Sequence, residues 1–242
     1  MLYRLIPFAL AGVAFAQQPA QPTSPPAAPG APAAVRPGER SGSRTPLFFR
    51  EAWKTVPAGG EHPISQEQVS NANLELKLYG PSAAQLQALG NAEDPSNPPH
   101  VWTGLCTSPA AVALRDKDNY VDLTGLARIH WQTKVSGFHK VRPVVKLADG
   151  SWLVGDQADG SIVDWHDNEF SISEVHWMKI DINKVLTRGN FVEHPDLSKV
   201  DEIGFVDLLP GSGHGPGGWV DVAWFEVYGK PVKREASTTS SQ

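Results

Sequence analysis

Val121-Asp122-Leu123-Thr124-Gly125-Leu126-Ala127-Arg128-Ile129-His130-Trp131 has a counterpart near the end of the chain, Asp196-Leu197-Ser198-Lys199-Val200-Asp201-Glu202-Ile203-Gly204-Phe205. Each is an Asp-Leu-Ser/Thr turn followed at once by an alternating apolar strand, the way an antiparallel sandwich re-enters a sheet after a crossing loop. Working outward, strand patterns occupy 48–54, 74–79, 101–106, 112–115, 127–135, 141–147, 152–154, 170–173, 176–182, 202–208 and 220–228. Asp149-Gly150 joins two apolar runs as a hairpin, and Asp116-Lys117-Asp118-Asn119 is a polar reversal. One short helix is expected over 82–89, with Pro81 before it and Gly90 after it. The pattern predicts an all-β antiparallel β-sandwich of jelly-roll type.

The chain opens with Arg4, an apolar stretch over 5–13 and the small-x-small triplet Ala14-Phe15-Ala16, which read together as a secretory signal peptide over 1–16. Its apolar core is too short to span a bilayer, so no membrane insertion is expected. Cleavage after Ala16 would remove Arg4, leave a protein one charge more acidic than the formal −5 of the chain, and place it in the periplasm or outside the cell. Residues 17–45 hold seven prolines among Ala, Gln and Gly, the composition of a semi-stiff disordered tether. That leaves one domain over 46–230 and a polar, disordered tail over 231–242. The single cysteine, Cys106, has no internal disulfide partner and reads as a buried thiol, so stability rests on the core. The acidic balance argues against a nucleic-acid partner.

The order of the Asp122-Leu123-Thr124-Gly125 turn, a long strand, a hairpin, Val175-His176-Trp177-Met178-Lys179-Ile180, Asp196-Leu197-Ser198-Lys199-Val200 and a final long hairpin resembles the galactose-binding-like jelly roll. Carbohydrate-binding modules and complex I intermediate-associated proteins share that layout. The resemblance covers roughly 122–229 and implies a sandwich that often binds sugars and often carries a structural calcium ion. Leu47-Phe48-Phe49-Arg50-Glu51-Ala52-Trp53 is also similar to the opening strand of secreted 3-keto-disaccharide hydrolase domains, without the Asn-Gly turn usual there. That second resemblance implies a hydrolase, with His166 and the acids of 156–169 as the place for general acid/base groups.

Strand alternation sorts side chains into faces. From 127 to 135, Ala127, Ile129, Trp131, Thr133 and Val135 point one way and Arg128, His130, Gln132 and Lys134 the other. If the strand over 141–147 pairs with it, Arg142 and Lys146 join them in one basic face able to donate hydrogen bonds to sugar hydroxyls. An indole stacks on the apolar face of a pyranose; among the eight tryptophans, Trp131 and Trp177 read as core, while Trp152, Trp165 and Trp219 lie at turns. The expected ligand set is Arg128, His130, Gln132, Arg142 and Lys146, with Trp152 or Trp165 stacking and His214 presented by the Gly-rich loop over 210–218. Asp156, Asp159 and Asp164 are the candidate calcium ligands, although the spacing of an EF-hand is absent. No His-Glu-x-x-His or Gly-x-Ser-x-Gly occurs. The expected function is carbohydrate binding by a secreted, non-catalytic protein; a jelly-roll glycoside hydrolase and an extracytoplasmic scaffold are the alternatives.

Overall fold

The computed structural model describes residues 44–209 and 214–235. The predicted leader, the tether up to residue 43 and the tail from residue 236 lie outside the described residues. The strands are β1 Leu47–Glu51, β2 Leu74–Tyr79, β3 Gln87–Leu89, β4 His100–Trp102, β5 Ala110–Asp116, β6 Asn119–Asp122, β7 Arg128–Val135 and β8 Val141–Leu147. They continue as β9 Trp152–Gly155, β10 His166–Ser171, β11 Trp177–Asp181, β12 Leu186–Val192, β13 Val200–Asp207, β14 Val220–Tyr228 and β15 Lys230–Lys233. A six-stranded sheet runs β10-β7-β14-β4-β3 with β1 also on β14; a nine-stranded sheet runs β12-β11-β9-β8-β13-β5-β2 with β6 on β13 and β15 on β6. Every pairing is antiparallel. The all-β jelly-roll sandwich expected from the sequence is the fold observed.

The two look-alike turns meet each other. The Asp122 carboxylate accepts from the Thr124 amide (2.8 Å) and hydroxyl (2.6 Å), and the Asp196 carboxylate accepts from the Ser198 amide (3.0 Å) and hydroxyl (2.6 Å). These side-chain turns free the residue between them to point inward. Leu123 and Leu197 are accordingly buried, and the Leu123 amide donates to the Leu197 carbonyl at 2.9 Å. One turn launches β7 into the first sheet and the other launches β13 into the second.

The main core fills the space between the sheets. Ile129, Trp131 and Phe225 come from the six-stranded sheet, Val112, Leu114, Val145, Ile203 and Phe205 from the nine-stranded one. Phe205 and Phe225 touch across the layers, ring centres 6.2 Å apart. A second apolar cluster covers the opposite face of the nine-stranded sheet. There Ala111, Ala113, Val144, Val154 and Val206 are buried under Ile182 and Val185 from the β11–β12 turn. Val185 reaches the end of β2, where a Cβ on Gly80 would lie 2.6 Å from its Cγ2. Val185 does this at φ 50°, a left-handed conformation unusual for a β-branched residue and held by complete burial. The outer face of the nine-stranded sheet is therefore closed, and that of the six-stranded sheet is open.

Several local expectations change. The helix expected over 82–89 is a 3-10 turn, Ala83–Gln85, followed by β3. Leu86 and Ala88 are buried, the Ile64 amide donates to the Leu86 carbonyl and the Ala88 amide to the His62 carbonyl, so ladder bonds and burial outweigh helix propensity. The strand β12 carried no readable signal because most of its residues are exposed on an edge. β15 extends past residue 230, where the tail was expected, pairing with β6 and followed by Arg234, which is hydrogen-bonded to Asp201. Among the described residues no helix is long and apolar enough to cross a membrane.

Candidate ligand-binding face

Strand β7 alternates as its sequence demands, with Ile129, Trp131, Thr133 and Val135 fully buried and Arg128, His130, Gln132 and Lys134 half-buried on the outer face. Its neighbours determine what that face becomes. A bulge between Val222 and Trp224 in β14 turns Trp224 and Glu226 outward beside Gln132 and His130, while Asp221 sits opposite both Lys134 and Trp102. From the other side β10 brings Asp167 to Gln132 and Glu169 to His130.

One end of this face is a closed polar network. Arg128 donates to Glu169 at 2.9 Å and lies 3.6 Å over the Tyr228 ring. Gln132 donates to Asp167 at 2.9 Å, and His130 lies 3.2 Å from Glu226. The Tyr228 hydroxyl and Arg50 both donate to Glu226 as well. Arg50 and Glu226 form the ion pair nearest Trp224, whose ring carries Arg50 at 4.7 Å and His130 at 4.5 Å. The basic stripe of β7 is thus neutralised by acids that adjoining strands supply.

The other end is an open cleft of about 490 Å³. Trp102, Trp219, Lys134, His100 and Asp221 line it, with Asn91 and Asn97 contributing amides from the loop before β4. Lys134 Nζ is 5.6 Å from the Trp165 ring centre and 5.9 Å from that of Trp219. Trp165 is fixed by its indole N–H, which donates to the Ser96 carbonyl at 3.1 Å, and its ring lies 5.2 Å from that of His100. His100 is tied by Nδ1 to the Pro98 carbonyl at 2.7 Å, which leaves Nε2 3.6 Å from Asp221 Oδ1. Asp221 is only 3% exposed and its Oδ1 has no hydrogen-bond partner. Burial, opposed by the Lys134 charge, pushes its carboxyl up to about 7. Burial also holds the His100 imidazole below its ordinary value, with Lys134 acting the same way and the Pro98 carbonyl opposing.

Trp102 is seated by a close approach. A Cβ on Gly104 would lie 2.0 Å from its Cζ2, so only glycine leaves room for the indole there. Gly104→Ala is expected to displace the Trp102 ring and weaken whatever binds in the cleft, with little change elsewhere. The indole N–H resonance of Trp102 reports it; an unmoved resonance would contradict the packing.

The remaining expected site residues lie elsewhere. β8 does not pair with β7; it runs in the nine-stranded sheet between β9 and β13. Arg142 is 3% exposed there and donates to the Gly155 carbonyl at 2.7 Å, and Lys146 pairs with Glu202 at 2.8 Å and Asp201 at 3.3 Å. Trp152 is buried in the outer cluster of that sheet, edge-on to Tyr79 at 4.9 Å, and offers no platform. His214 sits with His139 and Asp207, away from the cleft lining. The calcium expectation finds no support in placement: Asp156 pairs with His176 at 2.8 Å, Asp164 is exposed, and the buried Asp159 accepts from three side chains. Among the described residues, His139, Asp207 and His214 form the one group of three or more such side chains close enough to share an ion. Lys134 stood on the outward face read from alternation and Trp219 at a turn, though neither was in the expected ligand set, whereas Trp102 and His100 join the site only through strand pairing.

No family model matches this chain, and no curated protein matches it. Solved structures resemble its chain course. A family 11 carbohydrate-binding module of a cellulosomal cellulase of Clostridium thermocellum is similar over 74% of this chain and 100% of its own, with 15% identity and a TM-score of 0.39. A family 30 carbohydrate-binding module is similar over 81% of this chain and 94% of its own, with 12% identity and a TM-score of 0.39. An exo-beta-agarase is similar over 68% of this chain but only 24% of its own length, with 9% identity and a TM-score of 0.36.

Proposed function

We propose that this protein is exported and binds carbohydrate, without cleaving it, in the cleft on the outer face of the six-stranded sheet. The observation that carries this reading is the sorting of the tryptophans. Trp53, Trp131, Trp152 and Trp177 are buried, whereas Trp102, Trp165, Trp219 and Trp224 are half-buried and all gather on this one face. Indole faces beside a cation, amides and a buried carboxyl suit a sugar ring, whose C–H face stacks while its hydroxyls exchange hydrogen bonds. A rigid sheet holds these groups in fixed register. Binding rather than hydrolysis is favoured because Asp221 is the one carboxylate among the described cleft-lining residues, and two-carboxylate hydrolysis needs a second facing it. Export rests on the leader pattern of residues 1–16.

The test is a titration against soluble polysaccharides, with release of reducing ends followed in parallel. Trp219→Ala removes one stacking face and is expected to weaken binding about 10- to 100-fold, the equivalent of about 1.5–3 kcal/mol, at unchanged melting temperature. Unchanged affinity would reject the cleft, and released product would reject the non-catalytic reading.

A further inference from the structure

We propose that His139, Asp207 and His214 form a binding site for a divalent transition-metal ion of the zinc class. The three residues come from separate segments that the fold brings to one end of the sandwich: the β7–β8 crossing, the last residue of β13 and the loop leading into β14. One ligand atom from each lies within 4.8 Å of the others. His139 Nδ1 is 2.6 Å and His214 Nε2 3.5 Å from Asp207 Oδ2, and the two imidazoles pack edge to face with centres 4.4 Å apart. Zinc places nitrogen and oxygen ligands at about 2.0–2.2 Å, which spaces donors around a tetrahedron by about 3.3 Å. The observed separations bracket that spacing, so small side-chain rotations complete the site.

An independent observation points to a ligand. Asp207 and His214 side chains are 1% and 10% exposed, yet Asp207 Oδ1 and His214 Nε2 have no hydrogen-bond partner. Buried polar atoms are nearly always satisfied, and a cation held between these side chains would satisfy both orphaned atoms. Two imidazoles and one carboxylate select zinc and its neighbours over calcium or magnesium, which require mostly oxygen. Three protein ligands leave one coordination position of a tetrahedron open.

The surroundings hold these ligands in place. Thr103 donates to Asp207 Oδ2 at 2.9 Å, and its hydroxyl accepts from the Val220 amide at 2.9 Å. Gly215 presses the His214 segment onto the β7–β8 crossing, where a Cβ would lie 2.8 Å from the Phe138 carbonyl carbon and 3.0 Å from the His139 amide. Thr103 is therefore a positioning residue for the ion.

The experiment uses untagged full-length protein stripped with a chelator, titrated with zinc and separately with cobalt. One equivalent of zinc is expected to bind and raise the melting temperature, and cobalt to give the visible absorption of a four-coordinate site. His214→Ala, a change at the least buried ligand, is expected to lose at least ~100-fold in affinity and abolish the shift; Thr103→Val is expected to lose about tenfold. His214→Gln guards against a folding defect, because it keeps the bulk while removing the imidazole. Absence of binding, or a zinc-induced shift that survives in both His214 variants, overturns the proposal and leaves the trio a buried hydrogen-bonded network. Sugar affinity of the stripped protein is read separately, so failure here is distinguishable from failure of the cleft.

Discussion

Asp159→Ala is expected to destabilise the domain by about 3–5 kcal/mol. Asp159 lies 7% exposed inside the sandwich, where Oδ2 accepts from the Trp131 indole at 2.7 Å and the Thr133 hydroxyl at 3.0 Å, and Oδ1 accepts from the Asn168 amide at 2.5 Å. Trp131 and Thr133 are fully buried, so water cannot replace the carboxylate, and each abandoned donor costs about 1–3 kcal/mol. The main chain is fixed as well, since the Asp159 amide and carbonyl both bond to Val141 at 3.0 Å. Trp131 itself packs on Phe170 and Phe225 at 5.1 and 6.0 Å, so loosening its indole loosens the centre of the core. Asp159→Asn keeps one acceptor and is expected to cost less, about 1–3 kcal/mol. Urea unfolding measures both; an alanine variant within 1 kcal/mol of wild type would mean that these hydrogen bonds contribute little to stability.

The same residue shows why the acidic loop misled a reading by composition. Asp156, Asp159 and Asp164 look like a cluster of hard ligands in the sequence, but sequence spacing does not say which carboxylates have donors waiting in the core. The indole of Trp131 is such a donor, and Asp159 is carried to it by its bridge to Val141 at the start of β8, which the sequence spacing does not show.

Alternation was legible wherever one side of a strand is buried and the other is not. β7 shows this in full, and the turn chemistry of Asp122 and Asp196 could be read directly because both turns close on themselves within three residues. The partner of β8 could not be read. Adjacent strands joined by a short connection usually pair, yet the segment after Gly137 crosses to the other sheet. There Arg142 and Val144 are both buried because a second cluster covers that face. The binding face suffered accordingly: Arg128, His130 and Gln132 share its outer surface but are tied to Glu169, Glu226 and Asp167, Lys134 is the β7 residue that lines the cleft, the residues supplied by β4 and β14 were not in the expected set, and those assigned through the β7–β8 pairing lie on the other sheet. Asp221 carried a signal all the same, an acid between Val220 and Val222 in an otherwise apolar run, pointing opposite to the core.

That acid is expected to make the stability of this protein fall with rising pH. An ordinary aspartate titrates at 3.8 and Asp221 at about 7, so between these values the folded protein holds a proton that the unfolded chain has released. Unfolding free energy contributed by this group is therefore intact below about pH 4, declines by about 1.4 kcal/mol per pH unit from there to about pH 7, and is fully lost above about pH 8. A shift of this size corresponds to about 4 kcal/mol. Asp221→Asn keeps the shape and cannot ionise, so it is expected to be more stable than wild type by up to about 4 kcal/mol at pH 8, with the gap shrinking as the pH falls. His100, depressed by burial, has the opposite slope, losing stability as the pH falls through its folded value; comparing variant with wild type at each pH isolates the aspartate. Lys134 faces both groups from β7 and offsets the cost of the Asp221 charge, so Lys134→Met should extend the wild-type decline to higher pH. If denaturation between about pH 4 and 8 shows parallel curves for wild type and Asp221→Asn, Asp221 is ionised throughout that range in the folded protein and its carboxyl is not raised by burial. If the curves diverge toward alkaline pH, the cleft presents a protonated carboxyl near neutrality, a donor suited to a sugar hydroxyl and lost when Asp221 ionises.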